Sequence, residues 1–186
     1  MTDCSTLIPD IDDIKGTLVE IHGSPDSGKT KSVLRYIKKM QDKHNILTCY
    51  VDAANSLKKY IANIESDRVW MLFGLNSQDE IEAVYNSIRL TDLVVIDDIT
   101  FCDADNVGQF IKQLDRSAHI NNTAVIILNQ KRFVLNYASG QYEEKPYRYN
   151  KIGKYCSMVI DIDEGVFIKR DERLQIDSFA QYLVNA

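Results

Sequence analysis

The sequence has few of the residues that mark disulfide-rich, metal-binding or membrane proteins. Its four cysteines, at positions 4, 49, 102 and 156, form no CxxC pair, so neither a zinc site nor a disulfide framework is predicted. The three histidines share no metal-ligand spacing. Eight glycines and three prolines are too few for long flexible linkers. Since no apolar run approaches the roughly 20 residues that cross a bilayer, we expect no membrane partner and a cytoplasmic chain with reduced, packed thiols.

The charge of the chain is unevenly distributed. Apolar residues make up 45% and charged residues 26% of the chain, as in ordinary globular proteins. We predict a single domain over 1–186, with a short N-terminal arm over 1–15. The net charge of −5 argues against nucleic acid as a partner, but between Lys131 and Cys156 six basic residues outnumber two acidic ones. Five of the ten tyrosines also lie there, so this basic, aromatic segment needs a local explanation.

Strand and helix patterns alternate along most of the chain. Short apolar runs predict strands over 17–22, 46–51, 69–73, 93–96 and 124–128. Apolar residues spaced three and four apart predict helices over 30–43, 57–64, 81–88 and 107–114. This alternation predicts an α/β fold with a mostly parallel central sheet that is covered by helices on both faces. At the end of the chain, 158–162, 166–169 and 174–179 are expected to form an antiparallel extension.

A phosphate-binding pattern lies between the first predicted strand and the first predicted helix. Residues 23–30 read GSPDSGKT and match GxxxxGK[ST], in which glycines let consecutive backbone N–H groups face a phosphate at the positive end of a helix. Lys29 would neutralise the β- and γ-phosphates of a nucleotide, and the Thr30 hydroxyl would hold Mg²⁺. We therefore predict a site for ATP and Mg²⁺ formed by Gly23, Ser24, Pro25, Asp26, Ser27, Gly28, Lys29, Thr30 and Lys31.

Two aspartates follow the predicted strand LVVI. Asp97 is the candidate Walker B carboxylate that orders Mg²⁺, because ligands of open α/β folds collect at the carboxyl ends of strands. The alternative is a strand-end carboxylate that caps the next turn. Asp98 is a candidate for orienting an attacking water, with an exposed turn residue as the alternative. The sequence contains no nucleophile, base and orienting group arranged for covalent catalysis.

Four segments resemble, in the same order, the nucleotide core of RecA-type recombinases. They are GTLVEIHGSPDSGKT, YVDAANSL, TDLVVIDDIT and AVIILNQKRF, and the resemblance covers about residues 16–162. The Glu20-Ile21 and Asn129-Gln130 pairs are its more discriminating parts, since Walker motifs alone would not select this family. The resemblance implies a three-layer P-loop NTPase of RecA type.

The resemblance also implies roles for individual residues. The glutamine that matches Gln130 senses the γ-phosphate in this family, so Gln130 joins Lys29, Asp97 and Asp98 as the candidate catalytic residues. An aromatic residue near the position of Tyr60 stacks on adenine in the family. A tyrosine at helical spacing is more often a core residue, which is the alternative for Tyr60.

In RecA-type proteins, the segment after this glutamine is a mobile loop that contacts single-stranded DNA. Here 131–155 is expected to be a loop of about 25 residues without secondary structure, which is unusual unless the loop is functional. Basic side chains neutralise phosphates, and aromatic faces stack bases of any identity. The candidate DNA-binding residues are Lys131, Arg132, Phe133, Tyr137, Tyr142, Lys145, Tyr147, Arg148, Tyr149, Lys151 and Lys154. A solvated surface loop, or one that packs against a partner protein, is the alternative.

The sequence departs from the RecA pattern at several places. The family's catalytic glutamate aligns with Ala54, which predicts slow hydrolysis unless Asp98 or Asp52 substitutes. Asp26 adds a negative charge to the phosphate-binding segment, which would weaken nucleotide binding. The arm before Gly16 is short, and the family's first DNA loop is expected to be truncated to 101–106. These features indicate a core-only relative of the kind that phages encode.

The sequence therefore predicts a slow Mg-dependent ATPase that binds single-stranded DNA and promotes strand annealing or exchange in DNA recombination or repair. It would act as a homo-oligomer, in a ring or filament, or with a partner recombination protein. One alternative is a helicase-like or DNA-packaging motor ATPase. Another is a non-catalytic, ATP-responsive scaffold similar to recombinase paralogues, which Ala54 favours over the motor.

Overall fold

The computed structural model describes residues 4–54, 57, 66–102 and 107–169. Their helices and strands are α1 (Ile11–Ile14), β1 (Leu18–Gly23), α2 (Lys29–His44), β2 (Thr48–Asp52), β3 (Val69–Phe73), α3 (Gln78–Ile88), β4 (Leu93–Asp97), α4 (Val107–Asn121), β5 (Ala124–Asn136), β6 (Gln141–Pro146), α5 (Tyr149–Ile152), β7 (Met158–Asp161) and β8 (Val166–Lys169). The helix predicted over 57–64, except for Leu57, and the strand predicted over 174–179 lie outside the described residues. Tyr60 and the end of the 101–106 segment also lie outside them.

The sheet has the order β3-β2-β4-β5-β1-β7-β8, and β6 pairs with β5 alone. The strands from β3 to β7 in this order run parallel, and β8 pairs antiparallel with β7. The predicted α/β fold with a mostly parallel sheet is thereby confirmed. The expectation for 158–162 was wrong in one respect: β7 runs parallel to β1, so the antiparallel extension begins only at β8. The apolar side chains of β7 are buried, as in an internal strand of a parallel sheet.

Apolar side chains fill both faces of the sheet. Because successive residues of a strand point to opposite faces, the continuous apolar runs supply two separate cores. One core packs α2 against side chains that include Val19, Ile21, Tyr50, Val95, Ile126 and Leu128. The other packs α3 and α4 against side chains that include Leu18, Val51, Val94, Ile96, Val125 and Ile127. Cys49, Cys102 and Cys156 are buried here as well, as expected for packed thiols.

The segment after Gln130 forms regular structure, so the expectation of a loop without secondary structure was wrong. Strand β5 is 13 residues long and leaves the sheet to pair with β6 in an antiparallel hairpin, from Lys131 opposite Pro146 to Asn136 opposite Gln141. The turn closes with a hydrogen bond from the Gly140 N–H to the Asn136 carbonyl, and Gly140 adopts φ +69°, which glycine tolerates. We call residues 131–146 the hairpin.

No helix among the described residues has both the length and the apolar character needed to cross a membrane.

Candidate functional site

The phosphate-binding turn connects the end of β1 to the start of α2, as the sequence predicts. Gly28 caps the N-terminus of α2 with φ +93°, a conformation that side chains with a Cβ rarely adopt. At Gly23 the constraint is space, because a Cβ atom would collide with Ile162 Cγ2 and lie 2.7 Å from Ser27 Oγ. The two glycines therefore allow the tight path that directs backbone N–H groups toward the N-terminal end of the helix.

The Lys29 ammonium group lies inside this turn. Its Nζ donates hydrogen bonds to the carbonyl oxygens of Gly23 at 3.0 Å and Ser24 at 2.9 Å, and to Ser27 Oγ at 3.4 Å. Burial lowers the pKa of Lys29, and the carboxylates around it, first Asp98, oppose that shift. The result is a buried cation at the point where a phosphate group would meet the turn.

Thr30 and Asp97 meet across the turn. Asp97 Oδ2 accepts hydrogen bonds from the hydroxyl groups of Thr30 and of Tyr50, each at 2.7 Å. Burial raises the pKa of Asp97, and both hydroxyl groups oppose that shift by stabilising the charged form. A threonine hydroxyl beside a carboxylate oxygen is the ligand type that Mg²⁺ prefers. The residues present thus fit the predicted roles of Thr30 and Asp97 as metal ligands.

A cavity of about 460 Å³ opens between the turn, the end of β4 and Gln130 in the middle of β5. Its volume is in the range of small-molecule sites. It brings together most of the predicted nucleotide and catalytic residues: Asp26, Gly28, Lys29, Thr30, Lys31, Asp97, Asp98 and Gln130. Ala54 and Phe101 also line it. Pro25 and Ser27 lie in the turn itself, and Tyr60 is outside the described residues.

Of the two aspartates considered as replacements for a glutamate at position 54, only Asp98 lines the cavity. Its Oδ1 accepts a hydrogen bond from the Thr100 N–H at 2.8 Å, and burial raises its pKa to about 6. Asp52 is fully buried, and its Oδ2 accepts a hydrogen bond from the Leu57 N–H at 2.9 Å. Ala54 lines the same cavity but carries no acid. Asp98 is therefore the better-placed acid for a water molecule in the cavity.

The hairpin and α5 present cations and aromatic rings to solvent. Phe133 and Tyr142 are each 72% exposed, and Tyr137 in the turn is 91% exposed. Arg132 and Arg148 both lie over the Tyr147 ring, with guanidinium carbons 4.4 Å and 5.1 Å from the ring centroid. Lys145 stacks on Tyr149, Lys154 stacks on Tyr155, and Lys151 lies in α5. Apart from Lys131, the predicted DNA-binding residues thus lie in the hairpin, in α5 or in the residues that flank α5, and Tyr147 and Arg148 are only partly exposed.

Lys131 differs from the other predicted DNA-binding residues. Only 7% of its side chain is exposed, and its Nζ lies 2.8 Å from Asp161 Oδ2 and 3.1 Å from Asp163 Oδ2. Although burial alone would lower the pKa of Lys131, the two carboxylates raise it above its usual value. Its charge is therefore paired inside the protein, which corrects the expectation that Lys131 faces DNA.

His44 lies in a cluster of charged side chains that the sequence spacing did not reveal. His44 Nε2 lies 2.7 Å from Asp10 Oδ1, and its Nδ1 lies 3.6 Å from Asp12 Oδ2. These three residues could hold a metal ion. Lys43 and Lys15 already contact the same two carboxylates, at 2.6 Å and 2.8 Å, so the cluster is accounted for as an ion-pair network between the N-terminal segment and α2.

Sequence reasoning missed Tyr50 and Asp163. Tyr50 belongs to an apolar strand and resembles a core residue, although its hydroxyl supports Asp97. No local sequence signal suggests this contact, because it depends on the parallel register of β2 and β4, which places Asp52 beside Asp97. For Asp163 it is the pairing of His22 with Asp161 that brings the residues after β7 next to the phosphate-binding turn.

Comparison with known proteins supports the resemblance. No protein-family model matches the chain. Protein RecA of Sulfurovum sp. (strain NBC37-1) is 26% identical over 181 residues, covering 85% of this chain and 52% of that protein. Protein RecA of Campylobacter hominis is 28% identical, covering 85% of this chain and 51% of that protein. The chain is thus similar to RecA proteins at low identity, and it spans about half the length of the curated relatives it matches.

Proposed function

We propose that this chain binds Mg-ATP in the cavity beside the phosphate-binding turn. Lys29 would exchange its contacts with the turn carbonyls for contacts with the β- and γ-phosphates. Thr30 and Asp97 would hold Mg²⁺, which when bound neutralises phosphate charge. Gln130 lines the same cavity and would contact the γ-phosphate. The carboxamide of Gln130 can donate a hydrogen bond to a phosphate oxygen without adding negative charge.

We further propose that the hairpin and α5 bind single-stranded DNA. The observation that carries this proposal is the continuity of β5, which includes Gln130 at the cavity and continues without interruption into the exposed hairpin. Arg132, Lys145, Arg148, Lys151 and Lys154 would contact phosphates, whereas Phe133, Tyr137, Tyr142, Tyr147 and Tyr149 would stack bases. Strand annealing or exchange in DNA recombination or repair, in a ring, a filament or a complex with a partner recombination protein, is the activity that such a combination of sites would serve.

Asp98 is the residue that we propose for water activation. Its carboxylate would accept a proton from a water molecule as the water oxygen bonds to the γ-phosphorus and the bond from that phosphorus to the β–γ bridging oxygen breaks. Ala54 lines the same cavity and supplies no carboxylate, so Asp98 would be the acid that takes the proton. We expect hydrolysis to be slow because Asp98 does not occupy the position with which the family's glutamate aligns.

Fluorescence anisotropy of a labelled oligothymidylate tests the DNA proposal, with and without Mg²⁺ and a non-hydrolysable ATP analogue. We expect tighter binding with the analogue, and binding that weakens steeply with salt. We also expect weaker binding after Phe133→Ala and Tyr142→Ala are combined. Binding that ignores the nucleotide and survives the double substitution would contradict the proposal.

A non-catalytic, ATP-responsive scaffold is the second candidate, and Ala54 in the cavity favours it. Phosphate release separates the two, with Lys29→Ala as the inactive reference and Asp98→Asn as the test of water activation. Release by the wild type above both variants supports slow hydrolysis. Release no greater than that of Lys29→Ala supports the scaffold and excludes a motor ATPase.

A further inference from the structure

A partly buried ion cluster lies between the phosphate-binding turn and the first residue of the hairpin. Lys131 Nζ lies 2.8 Å from Asp161 Oδ2 and 3.1 Å from Asp163 Oδ2. The same Asp163 oxygen accepts hydrogen bonds from the Ser24 N–H at 2.8 Å and from the Ser24 hydroxyl at 2.9 Å. Asp163 thus connects the turn directly to Lys131.

Both charges of the Lys131–Asp163 contact are held in place by their partners. Burial would raise the pKa of Asp163, but the Ser24 N–H and Lys131 together hold it below its usual value. Removing the cation would leave two carboxylates partly buried without their main charge partner. The cluster is therefore expected to move as a unit and not to break open when the turn shifts.

On its other side, Ser24 contacts the residue that would meet the phosphates. The Ser24 carbonyl accepts a hydrogen bond from Lys29 Nζ at 2.9 Å, and the Gly23 carbonyl accepts another at 3.0 Å. An ammonium group has three protons, and here Gly23, Ser24 and Ser27 provide acceptors for it. Lys29 can contact a phosphate only if it weakens at least one of these bonds. If the bond to Ser24 weakens, the Ser24 carbonyl keeps the hydrogen bond from the Ser27 N–H at 3.2 Å, and Asp163 still accepts from the Ser24 N–H and hydroxyl.

The residues just before Lys131 fix the base of the hairpin. The Gln130 carbonyl accepts a hydrogen bond from the Tyr147 N–H at 2.8 Å, and Asn129 Nδ2 donates to the Tyr147 carbonyl at 2.9 Å. The Tyr147 ring in turn supports Arg132 and the guanidinium group of Arg148. A displacement of Lys131 would therefore change how the base of the hairpin presents its cations and rings.

We propose that Lys131 is a positioning residue that links nucleotide occupancy to DNA binding through Asp163 and Ser24. The link would start where Lys29 meets the phosphates and runs through Ser24 and Asp163 to Lys131. Each of the three steps from Lys29 to Lys131 is a direct contact between neighbouring groups. This inference rests on the proposed function, because it connects the two binding sites that the proposed function assigns. It gives Lys131 a role in coupling in place of the DNA contact expected from the sequence.

Matched substitutions at neighbouring positions test the inference in the full chain. Lys131→Met removes the buried cation, and Arg132→Met removes the exposed cation beside it. For each, the dissociation constant of a labelled oligothymidylate is measured with and without Mg²⁺ and a non-hydrolysable ATP analogue. Couplings of this type change affinity about 5- to 150-fold, which is the ratio expected for the wild type.

Lys131→Met is expected to bring this ratio to within about two-fold of one, whereas Arg132→Met weakens binding in both nucleotide states and keeps the ratio. The inference is overturned if Lys131→Met retains the wild-type ratio, or if it weakens binding equally in both states as Arg132→Met does.

Hydrogen exchange of the wild type provides a readout that needs neither DNA nor a substituted chain. The analogue is expected to change the exchange rates of the amides at the base of the hairpin, around 130–133 and 145–148. Unchanged rates in a protein that binds the analogue overturn the link. Changed rates support the link. If the rates change but the protein binds no oligonucleotide, the link stands and the proposed DNA function fails.

Discussion

Replacing Asp98 with asparagine is expected to stabilise the fold at neutral pH. Asp98 is 4% exposed, and burial, with the adjacent Asp97 charge, raises its pKa from 3.8 to about 6. Because the folded-state pKa lies above the unfolded one, ionisation of Asp98 disfavours folding. This cost is absent below about pH 3.8, grows as the pH rises from 3.8 to about 6, and is nearly constant above 6. Each pKa unit corresponds to about 1.4 kcal/mol, so the cost is at most about 3 kcal/mol at pH 7.5 and about 1 kcal/mol at pH 4.5.

Urea denaturation at pH 7.5 and pH 4.5, without nucleotide or magnesium, measures this effect. Asparagine retains the acceptor for the Thr100 N–H, so Asp98→Asn should raise the free energy of unfolding by up to about 3 kcal/mol at pH 7.5 and clearly less at pH 4.5. Asp42→Asn, at an exposed position of α2, is the control and should change it by less than about 0.5 kcal/mol. A loss of stability at pH 7.5, or a gain that is the same at both pH values, would refute the reasoning.

Three further substitutions test other parts of the structure. Asp97→Asn should lower the affinity for a magnesium-loaded ATP analogue at least about 10-fold by calorimetry, because the neutral amide is a poorer Mg²⁺ ligand. If the wild-type protein binds the analogue with the same affinity with and without magnesium, the role of Asp97 as a metal ligand is contradicted. Ile127→Ala removes a fully buried side chain of β5 and should cost about 2–5 kcal/mol in the urea assay, and a cost below about 1 kcal/mol would contradict that burial. Phe133→Ala, at a 72% exposed position, should leave stability within about 0.5 kcal/mol but weaken DNA binding by the equivalent of about 1–3 kcal/mol; unchanged affinity would remove it from the DNA site.

The sheet and the phosphate-binding turn could be predicted because their signals are local. Continuous apolar runs mark strands that are buried on both faces, and the glycine pattern between a strand and a helix requires one particular turn. The hairpin could not be predicted in this way. Most of its side chains are exposed or half-buried on both faces, so 131–136 (KRFVLN) and 141–146 (QYEEKP) lack the apolar-polar alternation that normally identifies a strand. Gly140 is the main turn signal.

The contacts that organise the site are non-local, which is why the sequence did not reveal them. Tyr50 reaches Asp97 across 47 positions of the chain, and Ser24 meets Asp163 across 139. Only the register of parallel strands brings these groups together, and register is a property of the whole sheet. The same limit explains the expectation for Lys131, since a count of basic residues cannot distinguish an exposed cation from one that Asp161 and Asp163 neutralise.

The regular pairing of β5 with β6 restricts how the hairpin can change in length. Phe133 and Leu135 lie on one side of the ribbon, and Arg132 and Val134 lie on the other, because the side chains alternate. One residue inserted near the base of β5 would exchange the two sides or force a bulge, whereas two residues in each strand would preserve them. We therefore expect functional variants to carry an even number of inserted or deleted residues near the base of each strand. In a set of variants with different hairpin lengths, those changed by an odd number of residues per strand should lose function.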